Sequence, residues 1–317
     1  MATDKWTIND MPEQTGKVTI VTGANSGLGF EVVRGLARKN ARVVLASRDL
    51  TKGEKALQTL QKEFPGVQLE LIHLDLADLD SIRSFVDKFK QRYFRLDILV
   101  NNAGVMAIPF RKTKQGFEMQ FGTNHLGHFA LTGLLLPVML DTSGQPRIVT
   151  ISSGLHRQGD LDFTNLYWER NYRRGKAYGR SKLANLLFAY ELQRRLKAQG
   201  TNVLSLAAHP GYAATNLQTV GAKMEESPFK EKAFLMANRL FAQSAEMGAL
   251  PTLFAATAPG LNGGEYIGPG GLMELKGYPK VVSSNKKSHD PELAKKLWFV
   301  SEELTGVTFE KALTVQR

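Results

Sequence analysis

Thr22-Gly-Ala-Asn-Ser-Gly-Leu-Gly29 stands between a short apolar segment, residues 17–21, and a segment whose apolar residues recur every three or four positions, residues 30–37. This order predicts a strand, a glycine-rich turn and a helix. Glycines permit a tight turn and a close approach of the backbone to a ligand, and the N-terminus of the following helix favours an anionic group. The alternative is a plain tight turn, but both flanks are those of a phosphate-binding loop. We therefore predict that a dinucleotide binds at Gly23, Gly27 and Gly29.

Strand and helix patterns continue to alternate after this first unit. The segments that predict further strands are residues 42–47, 69–74, 97–100, 147–151, 201–208 and 264–267. Those that predict further helices are residues 51–64, 80–93, 116–140, 178–198, 234–241, 245–256 and 291–304. Such alternation is typical of βαβ units. We predict an α/β protein: a single-domain Rossmann fold with a doubly wound, mostly parallel sheet of about seven strands and helices on both faces.

Four residues or motifs fall at the predicted carboxyl ends of the first four strands. These are Gly23, Arg48, Asp75 and Asn101. Because ligands of parallel α/β sheets bind just beyond those ends, the four positions predict one shared binding crevice.

The chain shows no internal repeat and no linker, so we expect one domain over residues 1–317. Its core would span residues 16–270. Residues 155–176 and 212–234 lack a regular period and would flank the substrate, and residues 285–317 would form a C-terminal helical extension.

Composition narrows the classes of function. The 317 residues include no cysteine, which excludes disulfides, thiolate metal sites and thiol nucleophiles and fits a reducing compartment. The first residues are polar, unlike a signal peptide, and no apolar stretch is long enough for a transmembrane segment. We therefore expect a cytoplasmic protein. The net charge of +11 fits a basic surface, an anionic ligand or an anionic lipid, and no motif points to nucleic acid. A peripheral membrane protein that works through its basic surface is therefore a rival interpretation, but we prefer a solvated basic loop and helix start over residues 169–182.

Tyr178 and Lys182 are four residues apart within a segment of helical period. On a helix this spacing places both side chains on one face. A lysine ammonium beside a phenol lowers the pKa of the phenol, which could then exchange a proton with a hydroxyl or carbonyl oxygen near neutral pH. The alternative is a solvent-facing helix that carries both residues by chance.

Asn124 lies in the apolar helical segment 116–140, together with His125 and His128. A buried asparagine is costly unless it is hydrogen-bonded. Asn124 is therefore either a structural partner of a neighbouring carbonyl or the centre of a local kink that anchors a water. The two histidines are expected to be packed or surface residues, since no carboxylate or cysteine cluster supports a metal.

Five motifs occur in the order seen in short-chain dehydrogenases/reductases, and the chain resembles that family over residues 16–270. They are Thr22-Gly-x-x-x-Gly-x-Gly29, Asn101-Asn-Ala-Gly104, Ser153, Tyr178-x-x-x-Lys182 and Pro210-Gly211. The long interval from Ser153 to Tyr178 and the phrase Ser181-Lys-Leu-Ala-Asn185 are most similar to the branch that contains retinol dehydrogenases, WW-domain oxidoreductases and protochlorophyllide reductases. The absence of cysteine argues against light-driven protochlorophyllide reduction.

The resemblance implies hydride transfer between a nicotinamide and a carbon bearing oxygen. It implies that Tyr178 is the general acid/base, that Lys182 lowers the pKa of Tyr178 and bonds the nicotinamide ribose, that Ser153 orients the substrate oxygen, and that Asn124 holds a water that relays protons. The cofactor-binding residues that it implies are Gly23, Asn25, Ser26, Gly27, Leu28, Gly29, Ser47, Arg48, Asp75, Leu76, Asn102, Ala103, Gly104, Tyr178, Lys182, Pro210, Gly211 and Thr215. No metal is implied. A rival interpretation is a catalytically silent dinucleotide sensor or scaffold on the same fold.

NADP(H) is the expected cofactor, with NAD(H) as the alternative. NAD-binding folds commonly place a carboxylate after the second strand, where this chain has Ser47 and Arg48. A guanidinium can pair with a 2′-phosphate and a serine can donate to it. The alternative is that Arg48 stacks on adenine while Asp49 turns inward to the ribose.

The substrate is expected to be a small hydrophobic aldehyde, ketone or alcohol. The two irregular segments carry apolar and aromatic residues among polar ones, and neither offers a clear pair of arginines for a carboxylate. The candidate substrate contacts are Ser153, Tyr212, Met224 and Phe229. The first segment could instead be a surface excursion or a contact of a homo-oligomer.

Overall fold

A computed structural model describes residues 5–168, 170–212 and 243–309. Within these residues the strands form a single sheet that runs through the middle of the molecule. The strands are β1 (Val18–Thr22), β2 (Arg42–Ser47), β3 (Leu69–His73), β4 (Ile98–Asn101), β5 (Arg147–Ile151), β6 (Leu204–Ala208), β7 (Tyr266–Pro269) and β8 (Pro279–Val282). The eight strands lie in the order β3-β2-β1-β4-β5-β6-β7-β8.

The pairings from β3 to β7 are all parallel. The strand order reverses between β1 and β4, which opens a crevice past their carboxyl ends. The predicted α/β class and doubly wound sheet are confirmed. The last strand, β8, pairs antiparallel with β7 and was not predicted, because an edge strand of four residues that begins with proline has too little apolar alternation.

The helices cover both faces of the sheet. They are α1 (Gly27–Arg38), α2 (Leu50–Glu63), α3 (Leu79–Arg92), α4 (Gly127–Leu140), α5 (Arg174–Ala198), α6 (Ala245–Thr257) and α7 (Pro291–Thr305). Strand residues alternate between the two faces of the sheet. On β1, Val21 packs in one core with α1, α2 and α6. Ile20 packs in the other core with α3, α4, α5 and α7. The sheet is therefore buried on both sides, which holds the carboxyl ends of its strands in fixed positions.

The predicted helix over residues 116–140 starts later than expected and is not uniform. Gly116 has a φ of +86°, which a right-handed helix does not accommodate. A short helical turn, Met119–Phe121, begins after the Glu118 carboxylate accepts the backbone N–H groups of residues 120 and 121. A π-helical turn, Gly122–Leu126, then leads into α4. Such turns are often found at functional sites.

The C-terminal elements deviate slightly from the predictions. The predicted strand 264–267 is displaced by two residues, because Gly263 and Gly264 both have positive φ values, 90° and 86°. Helix α7 is capped by Asp290 and ends at Gly306, which is left-handed with φ 63°. The predicted helix 234–241 lies outside the described residues. Across the described ranges, the helices are all too short or too polar to cross a membrane.

Candidate active site

The glycine loop between β1 and α1 has a backbone that only glycine fits. Gly23 and Gly27 have φ values of 66° and 56°, in the left-handed region. A Cβ atom on Gly29 would lie 2.4 Å from the carbonyl oxygen of Gly23 and 2.6 Å from the Asn102 side-chain nitrogen. The loop is thus pressed against the Asn101–Gly104 motif, and it leaves a cradle of backbone N–H groups at the start of α1 that suits a pyrophosphate.

A cavity of about 280 Å³ opens above this loop, past the carboxyl ends of β1, β2, β3 and β4. The predicted cofactor residues that line it are Gly23, Asn25, Ser26, Gly27, Leu28, Gly29, Arg48, Asp75, Leu76, Asn102, Ala103 and Gly104. Its other lining residues are Thr22, Ala46, Asp49, Lys52, Leu74, Val105 and Thr123. The carboxyl ends of four strands therefore meet in one crevice. Gly23, Arg48 and Asp75 line it as their positions predicted, whereas Asn101 is buried and donates to the Thr132 hydroxyl at 3.0 Å.

At the adenosine end of the cavity, Asp49 caps the N-terminus of α2. Its carboxylate accepts the backbone N–H of Lys52 at 3.0 Å and pairs with the Lys52 ammonium at 3.0 Å. These hydrogen bonds hold the pKa of Asp49 below its usual value. Ser47 is buried, and its hydroxyl donates to the Asp49 carbonyl at 3.1 Å rather than lining the cavity. Lys52, which the sequence did not single out, brings a second cation to the cavity beside Arg48.

Thr22 joins the glycine loop to the strand-end motif and to α4. Its hydroxyl oxygen accepts the backbone N–H groups of Asn102 and Ala103, each at 2.9 Å. It lies 2.9 Å from His128 Nε2, while His128 Nδ1 lies 3.0 Å from the carbonyl oxygen of Asn124. Because that carbonyl can only accept, Nδ1 carries the proton and Thr22 donates to Nε2. His128 is therefore a packed, neutral connector and not a metal ligand.

Asn124 occupies the π-helical turn and ties it to its surroundings with both ends of its amide. Its oxygen accepts the Val105 N–H at 2.8 Å, and its nitrogen donates to the Val105 carbonyl at 3.0 Å and to the Ser181 hydroxyl at 2.9 Å. The predicted structural bond to a neighbouring carbonyl and the predicted local distortion of the helix are both present. A water at this position stays a prediction.

Tyr178 and Lys182 lie on α5 and are both buried, with 5% and 3% of their surfaces exposed, so the solvent-facing alternative is wrong. The Lys182 Nζ atom lies 5.5 Å from the centre of the Tyr178 ring and donates to the Ile151 carbonyl at 3.0 Å. The side chain of Ser153, the residue that follows Ser152 at the end of β5, interacts with the Tyr178 phenol and opposes the rise of its pKa. A Cβ atom on Gly104 would lie 3.8 Å from Nζ, so this group adjoins the dinucleotide cavity.

The pKa values of this pair differ from the expectation. Burial raises the pKa of Tyr178 to about 12, and the hydrogen bond with Ser153 only partly opposes that rise. Burial also lowers the pKa of Lys182 to about 8. The expected lowering of the phenol pKa by the lysine is therefore wrong for the chain by itself. Loss of hydration outweighs the attraction of an ammonium that is already bonded to Ile151.

Ser153 is held by a residue that the sequence did not mark as part of the site. His156 Nδ1 lies 2.7 Å from the Ser153 carbonyl oxygen, and His156 Nε2 accepts the backbone N–H of Asn285 at 3.2 Å. The segment before α7 thus braces the loop that carries Ser153. The contact of His156 with Ser153 lies within one turn, whereas its contact with Asn285 joins segments 129 residues apart and leaves no local signal.

The substrate side contains both described and undescribed residues. Gly211 and Tyr212 follow β6 and lie against residues 274–275, and the Pro210 carbonyl accepts the Gln243 side-chain amide at 2.7 Å. Pro210 and Gly211 do not line the cavity of the glycine loop. The predicted contacts Thr215, Met224 and Phe229 lie outside the described residues.

The aromatic residues of segment 155–176 pack against the protein instead of facing an open pocket. Trp168 is buried beneath the Arg180 guanidinium, 3.9 Å from it. Tyr167 stacks on Phe117 with ring centroids 6.2 Å apart. The role of segment 155–176 beside a substrate, and its alternative as a surface excursion or an oligomer contact, stay predictions.

Known proteins resemble the chain along most of its length. The family model for short chain dehydrogenases matches residues 17–226. Retinol dehydrogenase 14 of Homo sapiens is 40% identical over 307 residues, covering 92% of this chain and 87% of that protein. Polyprenol dehydrogenase of Danio rerio is 39% identical over 305 residues, covering 94% and 89%.

Among solved structures, an uncharacterized protein from Mycobacterium Paratuberculosis has a TM-score of 0.79 and 42% identity, covering 96% of this chain and 99% of that one. The glycine cradle, the cavity at the strand ends and these similarities agree with one another. The chain therefore belongs to the short-chain dehydrogenase/reductase family, in the branch that resembles retinol dehydrogenases, and is an NAD(P)-dependent oxidoreductase.

Proposed function

We propose that the protein transfers a hydride between NADP(H) and a lipophilic aldehyde, ketone or alcohol, with Tyr178 as the group that exchanges the proton. The observation that carries this proposal is the cluster of buried Tyr178 and Lys182 with half-buried Ser153 beside the dinucleotide cavity. When bound, the nicotinamide would supply or accept the hydride. The rest of the chemistry falls to the side chains of this chain.

The cradle fits the cofactor on its own geometry. The glycine loop has the space that a Cβ atom would fill, and the start of α1 presents N–H groups to it. Arg48 and Lys52 would hold the 2′-phosphate of the adenosine, since Asp49 is occupied by the start of α2. That arrangement favours NADP(H) over NAD(H).

Tyr178 would act as an acid when a carbonyl is reduced. A pKa raised to about 12 keeps the phenol protonated at neutral pH, which is the form that donates a proton. Ser153 would hold the substrate oxygen near the phenol. Lys182 and Asn124 would keep Tyr178 connected to a route for protons, through a water that Asn124 would hold.

The lipophilic nature of the substrate is supported by the names of two relatives, a retinol dehydrogenase and a polyprenol dehydrogenase. Tyr212 would contact the substrate after β6, and Met224 and Phe229 would contribute from the segment that follows. The cytoplasmic location and the homo-oligomer stay predictions from sequence.

The proposal is tested by steady-state kinetics on a panel of aldehydes and ketones with both nicotinamide cofactors. We expect the highest kcat/KM with NADPH and an apolar carbonyl. The pocket assignment is tested by Met224→Ser with Phe229→Ser. If this variant stays folded and binds cofactor, yet keeps its kcat/KM for lipophilic carbonyls, the two residues do not form the pocket.

A further inference from the structure

The loop between β7 and β8, residues 270–278, holds large apolar side chains in solvent. Leu272 is 87% exposed and Met273 is 80% exposed, and Val281 on the adjoining β8 is 55% exposed. Single exposed apolar residues are common on protein surfaces, but two neighbours at the tip of one loop form a protrusion. We refer to Leu272 and Met273 as the apolar tip.

The backbone of this loop is strained at the apolar tip. Met273 and Glu274 have φ values of 52° and 57°, in the left-handed region that bulky residues rarely adopt. The Glu274 carboxylate lies 3.1 Å from His209 Nε2 and 3.6 Å from the Arg157 guanidinium. Backbone strain of this kind is found most often in functional segments.

The apolar tip lies on the active-site edge of the sheet. Strand β7 is parallel to β6, so the loop that leaves its carboxyl end is on the same edge as the dinucleotide cavity. Tyr212 N–H donates to the Leu275 carbonyl at 2.9 Å, and Arg157, which pairs with Glu274, is four residues beyond Ser153. The loop thus borders the side from which a substrate would reach Tyr178.

The surroundings of the apolar tip are basic. Residues 270–289 contain one acidic residue, Glu274, against four lysines. These lysines are all exposed: Lys276, Lys280, Lys286 and Lys287. The Lys287 ammonium pairs with Asp160 at 2.8 Å, whereas Lys276 lies in the loop itself and Lys280 on β8. Apolar side chains bordered by lysines are the combination that binds the surface of an anionic bilayer. We propose that this loop and the β8 edge form a docking surface for anionic phospholipid membranes, with Leu272 and Met273 inserted into the headgroup region.

Edge protection and self-association fit this surface less well than a membrane does. Lys280 on an edge strand protects the edge from pairing with another chain, but this does not explain the apolar tip that precedes β8. A second copy of the chain would need about 800 Å² of surface from each partner, more than a few side chains at a narrow tip offer.

The docking surface gives a lipophilic substrate a direct path to the site. A molecule dissolved in the bilayer would reach the side of Tyr178 without crossing water. This link to catalysis rests on the proposed function, whereas membrane binding itself does not.

The test is co-sedimentation of the full chain with vesicles of phosphatidylcholine, with and without phosphatidylserine. We expect the protein to bind the vesicles that contain phosphatidylserine. In Leu272→Ser with Met273→Ser the partition coefficient should fall at least about tenfold, since each buried apolar side chain contributes about that factor. Lys276→Gln with Lys280→Gln should weaken binding mainly at low salt.

Phe94→Ser is the matched control. Phe94 is 90% exposed and lies between two basic residues, Arg92 and Arg95. It precedes β4 and so lies at the amino ends of the strands, opposite the active site. We expect this variant to bind vesicles as the parent does. The proposal is overturned if the parent protein does not bind, if Phe94→Ser loses as much binding as the double serine variant, or if the double variant only changes self-association in sedimentation velocity.

Activity separates this proposal from the proposed function. With a short water-soluble carbonyl, the double serine variant should match the parent in kcat/KM. With a lipophilic carbonyl held in vesicles, it should be at least about tenfold slower at low lipid concentration. If the parent turns over no carbonyl while still binding vesicles, the proposed function fails and the docking surface stands.

Discussion

Gly29 and Tyr178 both lie past the carboxyl ends of strands in one sheet, but the glycine contributes through its backbone and the tyrosine through its side chain. At Gly29 the absent side chain is decisive, because a Cβ atom would lie 2.4 Å from the Gly23 carbonyl oxygen. At Tyr178 the side chain itself is decisive, and its environment comes from distant residues such as Ser153. The dinucleotide region is built by backbone shape and the catalytic region by side chains from several elements.

This difference predicts that the two regions fail in different ways. Damage to the first should remove cofactor binding, and damage to the second should remove turnover while binding persists. Variants in each region therefore test whether the two are separate.

The largest effect is expected from Tyr178→Phe. Loss of the hydroxyl removes the proton donor, and general acid/base catalysis is worth about 10²–10⁴-fold in kcat. Binding of NADPH, followed by its fluorescence, should stay nearly unchanged. Tyr190→Phe is the control, since Tyr190 is a buried tyrosine on the same helix whose hydroxyl contacts Ser284. Near-normal kcat in Tyr178→Phe would rule out the assigned role.

A smaller effect is expected from changes at the adenosine end of the cavity. Arg48→Ala and Lys52→Ala should each raise KM for NADPH about 10- to 100-fold, because a hydrogen bond to a charged group contributes about 1.5–3 kcal/mol. KM for NADH should change little. Lys55→Ala, on the exposed side of α2, serves as the control. Equal losses with both cofactors would show that the two cations do not recognise a 2′-phosphate.

The sequence predicted the dinucleotide region well because its signals are local. The strand, the glycine turn and the helix follow one another within residues 18–38, and the φ values of Gly23 and Gly27 are properties of the chain itself. The spacing of Tyr178 and Lys182 also predicted that both side chains share one face of a helix, whereas their catalytic role was implied only by the order of the five motifs. In both cases a motif a few residues long carries the information.

The features that were missed depend on contacts between distant elements. The raised pKa of Tyr178 follows from burial, which no spacing reports. The brace of Ser153 joins His156 to Asn285, and the aromatic residue Trp168 is covered by Arg180. Lys52 lines the cavity because the first turn of α2 faces it. This burial and these contacts between distant residues form only once the chain has folded.

The smallest effect concerns two buried histidines, His125, which contacts Ser301, and His128, which contacts Thr22. Burial lowers the pKa of His125 to about 3 and that of His128 to about 4, from 6.5. Below pH 6.5 the unfolded chain therefore binds protons that the folded chain does not, and the free energy of unfolding should decrease as the pH falls.

Each histidine contributes at most about 1.4 kcal/mol per pH unit to that slope. Urea unfolding at a series of pH values measures it, and His128→Asn should make the slope shallower. A slope that is unchanged in His128→Asn would contradict a neutral, buried His128.

The central claim is that Tyr178 holds the proton that is exchanged with the substrate oxygen. The most direct test is the pH dependence of kcat in both directions, for the parent protein and for Tyr178→Phe. Because burial raises the pKa of Tyr178 to about 12, the phenol is protonated at neutral pH. Carbonyl reduction should then be nearly independent of pH near neutrality, whereas alcohol oxidation should accelerate as the pH rises and more phenolate forms. The residual activity of Tyr178→Phe should lack that acceleration. An oxidation rate that rises with pH equally in both proteins would contradict the account.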